Sequence, residues 1–360
     1  MQTASRKVIL LMNLGSPDTT SVKDVRKYLN EFLMDGRVID IPVLARTVLV
    51  KGIIVPFRSP RSARAYKTIW TENGSPLIYL TYQLQAALQD QGEYPVEVCM
   101  RYGSPSPAAA FEKIREKYPV ADEVILFPLY PHYAMSSYET AVEYAKEIFQ
   151  KEKYSFQLSV IPTFYNDTDY IHALTESIKP YLSNPYDLLL FSYHGIPERH
   201  VRKTDVTQMH CLQKENCCDL PSAAHEHCYR HQVFMTSSLT AIALQTPKNK
   251  FATSFQSRLG RDAWLKPYTA ERLKQLPGEG VKKLVIVCPA FVSDCLETLE
   301  EMGKEGRAIF LEAGGESFTL VPCLNIQPLW IETMHKLIGN HISGTQQKST
   351  DNFTSHVSVH

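Results

Sequence analysis

Eight short runs rich in Val, Ile and Leu punctuate the chain, and they restrict its fold more than any other feature. The first four are "KVILLMNLGSP", "VEVCMRYGSP", "EVILFPLYPHY" and "QLSVIPTFY". The second four are "DLLLFSYHGIP", "KFATSFQSRLG", "KKLVIVCPAFVSD" and "FTLVPCLN". Near-continuous apolar runs of this length fit strands buried on both faces, as in a parallel sheet. Helical patterns lie between most of them, among them "SVKDVRKYLNEFL", "SSYETAVEYAKEIFQK" and "TDYIHALTESIKPYL". The alternation predicts βαβ units with helices on both sheet faces. Four runs end by about residue 165 and four follow, and 360 residues suit two domains. The expected fold is α/β: two similar doubly wound, Rossmann-like domains, residues 1–165 and 166–342, with parallel sheets and a cleft between them. The polar stretch from Ser343, "SGTQQKSTDNFTSHVSVH", has no period and is expected to be a disordered tail over 343–360.

The carboxyl ends of the runs carry the polar and aromatic residues, on the edge where open parallel sheets place their ligands. G-x-G-x-x-G and P-loop patterns are both missing, so no nucleotide cofactor is indicated. Thirty-eight basic residues balance 38 acidic ones, which argues against a nucleic-acid partner. The apolar start is too short for a signal peptide or a spanning helix, and a cytoplasmic location is expected. In "IPVLARTVLVKGIIVPF", residues 41–57, Arg46 and Lys51 make a poor spanning segment. It reads either as a half-buried helix or as an apolar lip that touches a membrane or a greasy ligand.

Two elements carry candidate chemistry. His194 follows a buried run directly and precedes Gly195 and Pro197, which force a turn. A histidine so placed suits proton transfer near neutrality, unless backbone hydrogen bonds simply satisfy it at a strand end. In "VIVCPAFVSDCLETLEEMGKE", Asp294 and Glu297 have capping-box spacing. On the helix they predict, Asp294, Glu297 and Glu301 fall within roughly 60° of one another. Leu296, Leu299 and Met302 would form the opposite, apolar face. The plainer alternative is a solvated acidic face at a helix N-terminus. If the second half is one parallel sheet, His194 and Glu297 share its carboxyl edge, where they could take protons or hold a divalent cation by mixed N/O ligation.

Four of the eight cysteines, Cys211, Cys217, Cys218 and Cys228, fall within one segment of 18 residues. The spacing C-x5-C-C-x9-C lacks the C-x2-C pairs of zinc fingers. Adjacent cysteines make a strained disulfide, and a cytoplasmic chain seldom carries one. Four thiolates suit a [2Fe–2S] centre or a zinc site, with an unoccupied thiol-rich loop as the remaining alternative. The nearby His210, His225, His227 and His231 read as surface histidines, with replacement of a thiol ligand as the alternative.

These motifs resemble the ferrochelatase family, whose members insert ferrous iron into a porphyrin. The resemblance runs to about residue 340. It rests on "LLMNLGSPDT", "GSPL" at 74–77, "RYGSPSP" at 101–107, "LYPHYAMSS" at 129–137, "SYHGIP" at 192–197, "FQSRLGRDAWLKP" at 255–267 and "FVSDCLETLEE" at 291–301. It implies a chelatase-like pair of domains and a lyase-type chelatase of haem biosynthesis. His194 would be the active-site histidine, as base or iron ligand, and Glu297 the carboxylate across the pocket. Asp294 and Glu301 would continue the acidic line, with Arg101 and Trp264 in or near the porphyrin pocket. Some bacterial members hold a [2Fe–2S] cluster on a short internal segment, which implies the same for the four cysteines, in a structural or sensing role. The implied substrates are protoporphyrin IX and Fe2+, with coproporphyrin III or another metal as alternatives. A non-catalytic haem or iron–sulfur binder is the alternative from another class. The chain departs from the family in having Cys295 where a histidine is usual, and in the cysteine-rich loop itself.

Overall fold

The computed structural model describes residues 6–344 except 215, 259 and 261. Most of the stretch expected to be a disordered tail therefore lies outside the described residues; Ser343 itself ends the last helix, Pro328–Ser343.

All eight apolar runs form strands: β1 Lys7–Asn13, β2 Val96–Met100, β3 Glu123–Pro128, β4 Gln157–Val160, β5 Leu188–His194, β6 Phe251–Gln256, β7 Lys283–Val287 and β8 Ser317–Leu320. They assemble into two four-stranded sheets, ordered β2-β1-β3-β4 and β6-β5-β7-β8. Every pairing between named strands is parallel. The fold is α/β and doubly wound in each half, because continuous Val/Ile/Leu runs have no polar face to offer water and need helices on both sides.

The chain divides into two compact units, one of residues Met1–Tyr130 and Met135–Pro162, the other of Pro131–Ala134 and Thr163–His360. In the first, Val8, Leu10 and Met12 of β1 and Val124 and Leu126 of β3 pack with Phe111 and Phe156. In the second, Leu188 and Leu190 of β5 and Leu284 and Ile286 of β7 pack with Met302, Phe310 and Phe318. In each sheet the order of adding strands reverses between its first and third strands, β1/β3 in one unit and β5/β7 in the other. Such switch points open a crevice at the carboxyl edge.

The turns after β1 and β2 of the first unit touch through a glycine. A side chain on Gly15, at φ +103°, would stand 1.8 Å from the Tyr102 carbonyl oxygen, so only hydrogen fits there. Beyond the helix Val22–Leu33, three helical stretches, Val43–Thr47, Val48–Ile54 and Val55–Ile69, run on without a break. The middle stretch is π-helical. The expectation of a half-buried helix over 41–57 holds for only part of it. Val50 and Val55 are buried, but Leu44 and Phe57 are 84% and 80% exposed, and Val43, Val48 and Ile53 are exposed as well. No helix among the described residues is long and apolar enough to cross a membrane.

Candidate active site

The carboxyl edge of the second sheet gathers the predicted residues around its switch point. His194 ends β5, where its register partner is Gln256 at the end of β6. Its Nδ1 lies 2.8 Å from the Gly195 carbonyl oxygen. A carbonyl only accepts, so in the neutral ring the proton sits on Nδ1 and the lone pair on Nε2. Gly195 is required by its surroundings: a side chain there would lie 2.8 Å from the Gln256 carbonyl oxygen and 3.3 Å from Trp264 Cε3. Trp264 thus packs beside the histidine, bridged to Pro197, and its indole nitrogen is buried with no hydrogen-bond partner among the described residues.

Behind His194, the Tyr229 hydroxyl donates to its carbonyl oxygen at 2.8 Å. Tyr229 and Tyr193 meet the His132 ring edge-on. His132 is a histidine that the sequence reading passed over. Its Nε2 pairs with Thr236 Oγ1 at 2.9 Å, and burial pulls its pKa down to about 3, so it is a neutral wall residue.

Glu297 and Glu301 lie on the helix that follows β7, whose stretch Glu297–Gly306 is π-helical. Gln256 connects this helix to the sheet: its Oε1 accepts from Ser192 Oγ at 2.7 Å, and its Nε2 donates to the Glu297 carbonyl oxygen at 3.2 Å. Glu301 is half-buried, and Ser257 Oγ donates to its Oε2 at 2.5 Å. Burial, offset in part by Ser257 and reinforced by Glu297, lifts its pKa to about 7. A carboxylate poised there can carry protons at neutral pH. Ser257 escaped the sequence reading. Its one local mark is a left-handed backbone, φ +67°, which is uncommon away from glycine and clusters at functional sites.

Two details of this helix differ from expectation. Its apolar stripe is Thr298, Met302 and Gly306 rather than Leu296, Leu299 and Met302, since the wider π turn brings every fourth residue into line. The capping pair is also different: the Cys295 N–H donates to Thr298 Oγ1 at 3.0 Å. Asp294 is not the partner of Glu297 in a capping box. Its carboxylate accepts from Thr298 Oγ1 at 3.0 Å, from Asn325 Nδ2 at 2.7 Å and from the Cys323 N–H at 3.3 Å, which ties the loop after β7 to the loop after β8. Cys295 is buried, and burial and then the neighbouring Glu297 hold its thiol well above its ordinary pKa, so it is protonated.

The family model described as Ferrochelatase matches residues 6–342. A protein named ferrochelatase from Opitutus terrae is 48% identical over 332 residues, covering 91% of this chain and 95% of its own. One of the same name from Pseudomonas syringae pv. tomato is 46% identical over 330 residues, covering 91% and 96%. The chain belongs to the ferrochelatase family. It is accordingly a metal chelatase of haem biosynthesis, and the reading as a non-catalytic binder falls away. The structure titled "SirB from Bacillus subtilis with Fe3+" matches with a TM-score of 0.52 at 11% identity, over 96% of this chain and all of that one, and shares the fold.

Within this chelatase, the first unit carries Arg101 directly after β2. Its Nη2 is 2.5 Å from Asp35 Oδ2, its Nε donates to Thr140 Oγ1 at 2.9 Å, and its guanidinium lies over the rings of Tyr102 and Tyr144 at 4.3 and 4.1 Å. Burial works to raise the pKa of Asp35, but the Thr140 hydroxyl, the Arg37 N–H and Arg101 outweigh it and hold the carboxyl below its ordinary value.

The cysteine segment of the second unit is buried, with the four cysteines between 1% and 4% exposed. Asp205 anchors its start by accepting from the backbone N–H groups of His210 and Cys211 at 2.9 and 2.7 Å. The thiols meet one another, Cys211 with Cys228, Cys228 with Cys218, and Cys218 with Cys217. Cys217 is pulled down to about 5 by Cys218, with help from the Leu212 N–H and Arg230. Cys228, at the start of the helix Tyr229–Ala243, is pulled down to about 3 by Cys211 and Cys218. Those two donors are raised in turn. Four buried sulfurs, with N–H donors directed at Cys217, Cys218 and Cys228, fit a thiolate-bound group, although among the described residues no three or more His, Cys, Asp or Glu stand arranged to hold a metal ion. Contrary to the surface expectation, His210 and His231 are buried, while His225 and His227 are partly so.

Proposed function

We propose that the enzyme inserts Fe2+ into protoporphyrin IX, releasing two protons, as the last step of protohaem synthesis. A free porphyrin carries two pyrrole protons and hides its nitrogen lone pairs in the ring plane. Binding that buckles the ring exposes them, with contacts remote from the metal sustaining roughly 1–5 kcal/mol of distortion. His194 accepts the pyrrole protons or holds the iron before insertion, at the end of β5 where its Nδ1 contacts the Gly195 carbonyl oxygen. Glu297 stabilises the positive charge, and Glu301 and Asp294 pass protons outward. Of these two, Glu301 is the better supported, since it titrates near neutrality on a serine hydroxyl. Trp264, packed against Gly195 next to His194, contacts the macrocycle.

The observation that carries this reading is that one switch point holds both His194, at the end of β5, and Glu301, a carboxylate whose pKa is lifted to about 7. The exposed apolar residues between Val43 and Phe57 give the enzyme a peripheral hold on a membrane, consistent with a greasy substrate. Cys211, Cys217, Cys218 and Cys228 hold a [2Fe–2S] cluster, which would supply a redox-sensitive structural centre when bound. Insertion of a divalent ion changes no oxidation state, so no step of the reaction calls on it.

The test is anaerobic. Purified enzyme is mixed with Fe2+ and either protoporphyrin IX or coproporphyrin III, and haem is followed beside His194→Ala. Faster turnover of protoporphyrin IX, lost in the variant, is the expected result. Preference for coproporphyrin III would overturn the substrate assignment, and an active His194→Ala the role of the histidine.

A further inference from the structure

Around the four thiols, three imidazoles converge on one short piece of backbone. His210 Nε2 and His225 Nε2 lie 2.6 and 3.0 Å from the Cys217 carbonyl oxygen, and His231 Nδ1 lies 2.9 Å from that of Cys218. Each ring therefore donates a proton to a carbonyl of the adjacent cysteine pair. The rings of His225 and His231 stack at 3.6 Å and 7°, and His210 meets His225 edge-on at 5.3 Å.

A cation faces the sulfurs themselves. Arg230 Nη1 lies 3.0 Å from Cys218 Sγ and 3.7 Å from Cys217 Sγ. Its guanidinium packs over the Phe234 ring at 4.7 Å, one helical turn further on, which limits where the fork can go. Arginine keeps its charge at any working pH, and its planar fork reaches two acceptors at once where lysine offers a point charge. Phe234 packing alone would explain a long side chain here, but not a guanidinium set against two sulfurs.

We propose that Arg230 is the charge-balancing and positioning residue of the four-cysteine site, with His210, His225 and His231 bracketing the Cys217–Cys218 backbone against it. The proposal rests on the iron–sulfur reading of this segment. Hydrogen bonds to ligand sulfur and nearby positive charge favour the more negative, reduced form of such a centre and raise its potential. Partners that orient metal ligands also hold the metal, and losing one typically costs about 10–100-fold in affinity.

The experiment uses the full chain purified anaerobically, as wild type, Arg230→Met, Arg230→Lys and His225→Phe. Iron and acid-labile sulfide are assayed, the midpoint potential is taken by dye-mediated titration, and iron loss to a chelator is timed. Arg230→Met should shift the midpoint to a more negative value and lose iron about 10-fold faster or more. Arg230→Lys should restore part of the potential. His225→Phe keeps a stacking ring without the N–H donor, and should speed iron loss with little change in potential. If Arg230→Met does not fold, Arg230→Gln, which keeps donors without the charge, reads the same quantity. A loaded Arg230→Met with wild-type potential and wild-type iron loss overturns this inference and leaves the cluster standing. A wild type with zinc, or with neither iron nor sulfide, overturns the cluster reading and this inference with it.

Discussion

The two sheets share one strand order, one direction of pairing and one place of reversal, yet their carboxyl edges are built for different purposes. After β2 the first sheet carries Arg101, whose charge meets Asp35 at once, with Thr140, Tyr102 and Tyr144 filling the remaining directions. After β5 and β7 the second sheet carries His194, Glu297 and Glu301. There His194 meets a carbonyl and Glu301 a hydroxyl, and among the described residues no cation is bonded to the Glu301 carboxylate. The consequence is visible in the titration. Asp35 is held below its ordinary value by close donors, whereas Glu301 is lifted to about 7 by burial. One topology thus supports a closed ion network at one edge and the proposed proton site at the other, and the side chains at the strand ends make the difference.

The comparison predicts activity effects at one edge and stability effects at the other. His194→Ala should reduce haem formation about 10^2–10^4-fold, the range for a proton-transfer group, while the melting curve barely moves. A large loss of stability would mean that this edge is a structural network too. Asp35→Ala should do the reverse. It leaves a mostly buried guanidinium without its carboxylate and should cost about 3–5 kcal/mol in denaturant unfolding. Because the folded pKa of Asp35 is depressed, the stability it contributes is present above the unfolded pKa and disappears as pH falls through the folded one. An Asp35→Ala variant that unfolds like the wild type would erase the distinction.

Glu301→Gln sharpens the contrast through pH. A raised carboxyl keeps its proton in the folded chain after the unfolded chain has lost it, so its contribution to stability fades as pH rises from about 4.5 to about 7. Wild-type stability should therefore fall relative to Glu301→Gln across that interval, and the variant's activity should lose the limb that titrates near pH 7. Parallel stability curves would show that Glu301 is not perturbed. The smallest folding effect is expected at the exposed lip. Leu44→Asp with Phe57→Asp should change stability by no more than about 0.5 kcal/mol for each substitution. The pair should nonetheless weaken sedimentation with lipid vesicles, and unchanged sedimentation would remove the membrane role.

Where the candidate residues stand was legible from local sequence. His194 between an apolar run and a Gly-x-Pro turn, and Glu297 and Glu301 after the seventh run, needed only the rule that parallel sheets carry function at their carboxyl edge. The partners were not legible. Gln256 and Ser257 lie more than 40 residues from Glu297 and Glu301, and only strand register and helix placement bring them together. The capping assignment failed for the same reason: Asp294 had a better set of donors at Asn325 and Cys323, 31 and 29 residues away. The buried histidines beside the thiols were misjudged because a segment dense in His and Cys has no apolar period to announce burial.

Residue chemistry and periodicity by themselves determined that eight apolar runs form parallel strands, and which ionisable groups follow those runs. Both depend on short-range pattern, since a strand buried on both faces must be apolar at successive positions. The tertiary structure alone decided which neighbours engage each of those groups. The charge state of Glu301, the engagement of Arg101 and the approach of Arg230 to two sulfurs depend on neighbours supplied by distant parts of the chain. An ionisable group's energy is set by its surroundings in space, and separation along the sequence does not record them.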